Sequence, residues 1–166
     1  MTPREHKPHC GDAVAVGDYT IYLGGMQYDQ HGFEPLVGFD LIVPLEKEWL
    51  ETLKRPEDIG VEISKELFMK DFAGVPEDWS SVLESVLIPR LEAGKKIVVF
   101  CKGGHGRTGT VLASLIALLE PEVEDPIRAA RERYCLKAVE TVAQAEAIFS
   151  LKSERLPDNY FGTFII

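Results

Sequence analysis

The sequence predicts an α/β sandwich: β-prone segments come early, helical periodicity comes late, and a strand–glycine loop–helix unit lies between them. Its 166 residues suit one domain, and 45% hydrophobic with 27% charged residues excludes disordered, collagenous and coiled-coil classes. The formal charge of −9 argues against broad nucleic-acid or anionic-membrane binding, yet leaves room for a small positive pocket around a substrate phosphate. Residues 111–119 form the longest apolar stretch, far short of the ~20 that a membrane-spanning helix needs. No apolar signal core is visible near the start. Three cysteines, Cys10, Cys101 and Cys135, lack framework spacing and point to reduced thiols in a cytoplasmic setting.

The elements follow from local pattern. Residues 1–17 are polar and proline-containing and predict an N-terminal arm, followed by one domain over 18–152 and a C-terminal tail over 153–166, packed on the domain or extending from it. Residues 20–23 and 38–45 are β-prone and bounded by Gly and Pro, with a loop over 24–35 between them. Residues 61–69 predict a further strand, against which Lys65 and Glu66 argue. From Ser80 the residues Val82, Leu83, Val86, Leu87 and Leu91 share one helical face, kinked by Pro89 and ended by Gly94. Residues 97–100 are a short apolar run, as in a strand buried on both faces of a parallel sheet. Residues 108–119 predict a buried central helix. Asp125 and Pro126 open a helix through Tyr134. Thr141 and Gln144 form a capping box for a last helix that turns Val142, Ala145, Ile148 and Phe149 inward.

The chemistry is concentrated in Cys101-Lys102-Gly103-Gly104-His105-Gly106-Arg107-Thr108-Gly109. Closely spaced glycines between a strand and a helix let backbone N–H groups converge on one anion at the positive end of the helix dipole. Arg107 adds a fork that matches two phosphate oxygens. Cys101 stands at the rim of the same field, where a thiolate is stabilised, so one loop supplies a nucleophile and a cradle for the group it attacks. The Walker pattern and Gly-x-Gly-x-x-Gly are both absent.

These residues resemble the cysteine-dependent protein tyrosine phosphatase superfamily, whose hallmark is Cys, five residues, Arg, then Ser or Thr. They resemble its small dual-specificity branch in particular. Ile21-Tyr22-Leu23-Gly24-Gly25 is similar to an early strand of that group, Asp71-Phe72-Ala73-Gly74-Val75-Pro76 to its general-acid loop, and residues 131–149 to its C-terminal helical pair. The resemblance implies a central mixed, largely parallel sheet of four to five strands flanked by helices. It also implies a phosphatase working through a phosphocysteine on Cys101, with residues 102–107 (Lys102, Gly103, Gly104, His105, Gly106, Arg107) around the phosphate and no metal or other cofactor. By the same resemblance Thr108 assists departure of the sulfur and Asp71 is the general acid; Asp78 is the second choice, since spacing alone does not select the acid. Phe100 stands where the family usually has His.

Other residues carry two readings each. Gln144 either orients the hydrolytic water, as a similarly placed glutamine does in some relatives, or only completes the capping box. Lys102 and His105 fit either a phosphoinositide substrate or an exposed, tolerated rim. His6, His9 and Cys10 lack a fourth ligand at standard spacing, so zinc is not expected. Cys135 either pairs with an oxidised Cys101, as in some relatives, or only packs. Trp79, Tyr28 and Tyr160 either line a substrate groove or, as aromatics more often do, pack in the core, and no role is assigned to them. The expected activity is hydrolysis of phosphotyrosine, with phosphoserine and phosphothreonine as further candidates. The rivals are a phosphatase of inositides, nucleotides or RNA 5′ ends and a silent phosphate-binding module. Partners beyond a phosphorylated protein or small phosphomonoester are not predicted.

Overall fold

The structure is a computed structural model that describes residues 11–25, 38–52 and 61–164, with the side chains at 50–52 outside the description. Tyr28, the His6–Cys10 cluster and most of the loop expected over 24–35 also lie outside the described residues.

Among the described residues five strands, β1 (Asp12–Val16), β2 (Tyr19–Gly25), β3 (Leu41–Pro44), β4 (Glu62–Ile63) and β5 (Ile97–Cys101), form one sheet in the order β1-β2-β5-β3-β4. Only β1 and β2 are antiparallel; β2–β5, β3–β5 and β3–β4 are parallel. The expected mixed, largely parallel sheet is therefore present. At its centre every residue of β5 is buried, as the unbroken apolar run requires. Alternation along the strand divides its side chains between two cores. Ile97, Val99 and Cys101 face the main core, while Val98 and Phe100 join Ile42 and Trp49 in a second cluster. Trp49 comes from α1 (Lys47–Thr52), and its ring meets Phe100 edge-on at 5.0 Å between centroids. Phe100 thus packs at the position where the family usually has His.

The arm expected over 1–17 already contains sheet. Asp12-Ala13-Val14-Ala15-Val16 buries Val14 and Val16 at period two, a pattern of small residues too short to stand out from the polar sequence before it. Conversely, the strand expected over 61–69 is reduced to Glu62–Ile63, because only those residues pair with β3.

The helical segment begins at α2 (Trp79–Val82), passes through a π-helical turn at Leu83–Leu87 and ends as α3 (Ile88–Glu92). Pro89 cannot donate to the carbonyl four residues back, and the widened turn absorbs that lost bond. The central helix α4 (Gly106–Leu119) starts two residues before the expected position, inside the glycine loop, and twelve of its residues are buried. Helix α5 (Pro126–Arg133) carries the Asp125 cap on the Arg128 N–H, and α6 (Val142–Ser150) carries the full Thr141/Gln144 capping box. Beyond α6 the chain returns to the domain. Leu156 and Tyr160 are buried, and Phe164 stacks on Tyr160 at 5.8 Å. Among the described residues no helix is long and apolar enough to cross a membrane.

Candidate active site

Parallel strands end together, so β2, β5 and β3 bring Gly25, Cys101 and the segment after Pro44 to one edge of the sheet. The loop from Cys101 to His105 turns tightly there and enters α4. Gly104 adopts φ +75°, and a Cβ on it would sit 2.6 Å from the Gly25 nitrogen. Only glycine supplies both that dihedral and that clearance against β2. Tyr134 donates its hydroxyl to the Gly104 carbonyl from outside, so the loop is held on two sides.

Cys101 is buried, and its Sγ accepts the Gly104 N–H at 3.2 Å. The Thr108 hydroxyl lies 3.1 Å from the same sulfur and 3.2 Å from the Gly24 carbonyl, so its one proton has two acceptors within reach. Arg107, from the first turn of α4, is also buried; its Nη1 donates to the Met69 carbonyl at 2.9 Å.

Asp71 stands with Oδ1 3.7 Å from Arg107 Nη2 and is half exposed. Its loop is anchored where the Ala73 carbonyl accepts the Thr141 hydroxyl at 3.1 Å. The backbone there is strained, with Phe72 at φ +56° and Asp78 at φ +54°. Asp78 marks the far end of this loop, where its carbonyl accepts the Val82 N–H at 3.0 Å to start α2.

Lys102 is exposed at the rim. His105, half-buried, has Nδ1 3.2 Å from Cys135 Sγ, and Cys101 and Cys135 are both free thiols. Gln144 is buried, and its Oε1 accepts the N–H groups of Glu140 and Thr141 at 2.9 and 3.3 Å, the bonds of the cap.

Two carboxylates escaped the sequence argument. Glu46 makes an ion pair with Arg107 at 2.8 Å. Glu140 covers Gly106, on which a Cβ would lie 2.4 Å from its Cδ. Burial first, then the nearby Asp71 charge, pushes the Glu140 carboxyl above the ordinary glutamate range. The signal for Glu46 is an acidic residue just past the end of a buried strand; Glu140 lay in a matched segment but drew no role from it. Among the described residues no group of three His, Cys, Asp or Glu side chains is placed to hold a metal ion.

Residues 32–155 match the family described as PTP-SAK: Swiss Army Knife protein, DSP-PTPase phosphatase domain. The chain belongs to this family. A relative, the uncharacterized protein MJECL20 of Methanocaldococcus jannaschii, is 37% identical over 112 residues, which are 66% of this chain and 71% of that protein. Among solved structures, Tk-PTP in its active form superposes with a TM-score of 0.64 at 28% identity, covering 86% of this chain and 97% of that one. Kinase associated phosphatase, with its catalytic-site cysteine replaced by serine, reaches 0.66 over 90% and 97% at 17% identity, a likeness of fold. The chain is therefore a DSP-PTPase domain on a protein tyrosine phosphatase-like fold.

Proposed function

We propose that this domain hydrolyses phosphomonoesters through a phosphocysteine on Cys101. One observation carries the proposal: the Cys101 sulfur receives the Gly104 N–H and has the Thr108 hydroxyl 3.1 Å away, beside the buried Arg107 at the opening of α4. The Cys101 thiolate attacks phosphorus while the bond to the leaving oxygen breaks, and Asp71 gives that oxygen a proton. Water then attacks the phosphocysteine, Asp71 takes its proton, and the sulfur departs as a thiolate stabilised by Gly104 and Thr108. Through both steps the amides of the loop and the Arg107 fork hold the equatorial oxygens and supply the positive charge.

The proposed substrates are phosphotyrosine and other phosphoamino acids in proteins. A phosphoinositide reading rests on basic residues at both Lys102 and His105, and His105 Nδ1 faces Cys135. Free thiols at Cys101 and Cys135 suit a reducing, cytoplasm-like compartment.

Purified protein assayed against phosphotyrosine and phosphoserine peptides, phosphoinositide vesicles, nucleotides and an aryl phosphate tests this. Cys101→Ser should abolish turnover and keep vanadate binding measurable, and acid quench of the wild type should trap phosphate on Cys101. Near wild-type turnover by the serine variant would sink the covalent route.

A further inference from the structure

The glycines that let the Cys101 loop turn tightly also leave it other conformations. Gly103 and Gly104 follow one another, and glycine accepts either sign of φ at little cost, so the peptide planes beside Gly104 can rotate. Among the described residues every peptide is trans, and a trans peptide points its C=O and its N–H in opposite directions. Rotation of the 104–105 plane therefore exchanges the His105 N–H for the Gly104 carbonyl on the side that an anion would occupy. A donor is replaced by a repelling dipole. A cradle built on these residues needs a hold on that carbonyl from outside.

Tyr134 supplies the hold. Its hydroxyl donates to the Gly104 carbonyl from a residue 30 positions away in sequence. The tyrosine is itself fixed independently of the loop. Its N–H closes α5 on the Ala130 carbonyl at 2.9 Å, and its half-buried ring packs against the main core. The next residue touches the loop too, with Cys135 Sγ 3.2 Å from His105 Nδ1. On the other side β2 closes the space, since a Cβ on Gly104 would stand 2.6 Å from the Gly25 nitrogen and 2.9 Å from the Gly24 carbonyl carbon. The peptide before Gly104 gives its N–H to Cys101 Sγ at 3.2 Å. The nucleophile thus holds one peptide plane of Gly104, and Tyr134 holds the other.

We propose that Tyr134 is a positioning residue for the phosphate cradle, its hydroxyl locking the 104–105 peptide with the Gly104 carbonyl on the tyrosine and the His105 N–H toward bound phosphate. The inference rests on the proposed function of the Cys101 loop. The lock matters most in the empty loop, because a phosphoryl group in the cradle draws the N–H inward by itself. Losing the hydroxyl lowers the fraction of loops ready to bind, and hence the apparent affinity, but changes a loaded loop little. A hydroxyl that served folding stability alone would leave phosphate affinity unmoved.

The experiment uses the full chain and two variants. Inorganic phosphate affinity is measured by calorimetry, kcat and KM with an aryl phosphate, and folding by thermal melting. Tyr134→Phe keeps the ring and removes one hydrogen bond, so phosphate should bind about 3- to 10-fold more weakly. The ratio kcat/KM should fall by a similar factor, with kcat within about twofold of wild type. Tyr134→Leu removes the ring as well, and should melt lower than Tyr134→Phe while binding phosphate about as weakly. Unchanged phosphate affinity in Tyr134→Phe overturns the inference, even where kcat falls or the leucine variant fails to fold. A loss of affinity confined to Tyr134→Leu overturns it too, since packing and not the hydroxyl would then be the cause. A wild type that turns over no ester, but whose phosphate affinity still falls in Tyr134→Phe, overturns the proposed function and leaves the Tyr134 assignment standing.

Discussion

Gly109→Ala is the sharpest packing test of this site. Gly109 lies in the first turn of α4, its N–H bonded to the His105 carbonyl at 2.8 Å. A Cβ there would stand 2.3 Å from the Ala138 Cβ and 2.5 Å from its Cα. Carbon atoms rest at roughly 3.5–4.0 Å, so more than an ångström of overlap must be relieved. The opposing segment has little freedom to move. Arg131 donates to the carbonyls of Ala138 and Val139 at 2.9 and 3.0 Å, and Val139 is already at φ +66°. Alanine gains about 1 kcal/mol of helix propensity over glycine. Overpacking costs about 1–3 kcal/mol, and each hydrogen bond lost adds about 1 kcal/mol. The net is a destabilisation of about 2 kcal/mol, a fall in Tm of roughly 4–8 °C for a chain of this size. Scanning calorimetry reads it directly. Ala138→Gly on the same background removes only the nearer clash and should restore part of the loss. A Tm equal to or above wild type for Gly109→Ala would refute the packing of α4 on residues 138–139. Activity should fall along with Tm, because the displaced segment leads into Glu140 and the Thr141 cap that anchors the Asp71 loop.

Asp71→Asn should depress kcat by roughly 10²–10⁴-fold for esters with poor leaving groups and far less for an activated aryl phosphate. The same leaving-group dependence in Asp78→Asn instead would reassign the acid. Glu140 and Glu120 should move stability in opposite directions with pH. The folded-state pKa of Glu140 is raised, so its contribution is full in acid and lost as pH climbs from about 4.5 through the raised value. Glu140→Gln should therefore melt higher than wild type at neutral pH and match it in acid. Arg133 holds the Glu120 pKa down, so that ion pair stabilises at neutral pH and is lost as pH falls through the lowered value. Glu120→Gln should lower Tm by a few degrees at neutral pH, for a pair worth at most about 1 kcal/mol, and leave it unchanged in strong acid.

What the chain revealed in advance was local. The apolar run into β5, the Asp125–Pro126 start and the Thr141/Gln144 box each depend on neighbours within one turn or one strand, and all three are present in the structure. Where the presence or extent of an element depends on a distant partner, the expectation departed from the structure. β1 exists because β2 offers it an antiparallel edge, and β4 is cut to two residues because β3 pairs with no more. The π-turn before Pro89 lies between these cases: the proline announced a disturbance, but its form was set by packing of Leu83, Val86 and Leu87 into the core.

The same division runs through the site. Cys101, Arg107 and Thr108 lie within seven positions of each other in sequence, so their chemistry could be read as a pattern, and the structure places the Thr108 hydroxyl at the Cys101 sulfur with Arg107 beside them. The carboxylates could not be read in this way. An acidic side chain in a loop is ordinarily solvated surface, and the chain has 27 acidic residues to choose from. What singles out Glu46 and Glu140 is burial against Arg107 and Gly106, reached through strand register in one case and the turn before α6 in the other. Sheet order decides which strand end stands beside Cys101, and no local pattern encodes that order. With β3 next to β5, the residues following Pro44 become neighbours of the nucleophile, and a glutamate among them becomes the partner of a buried arginine.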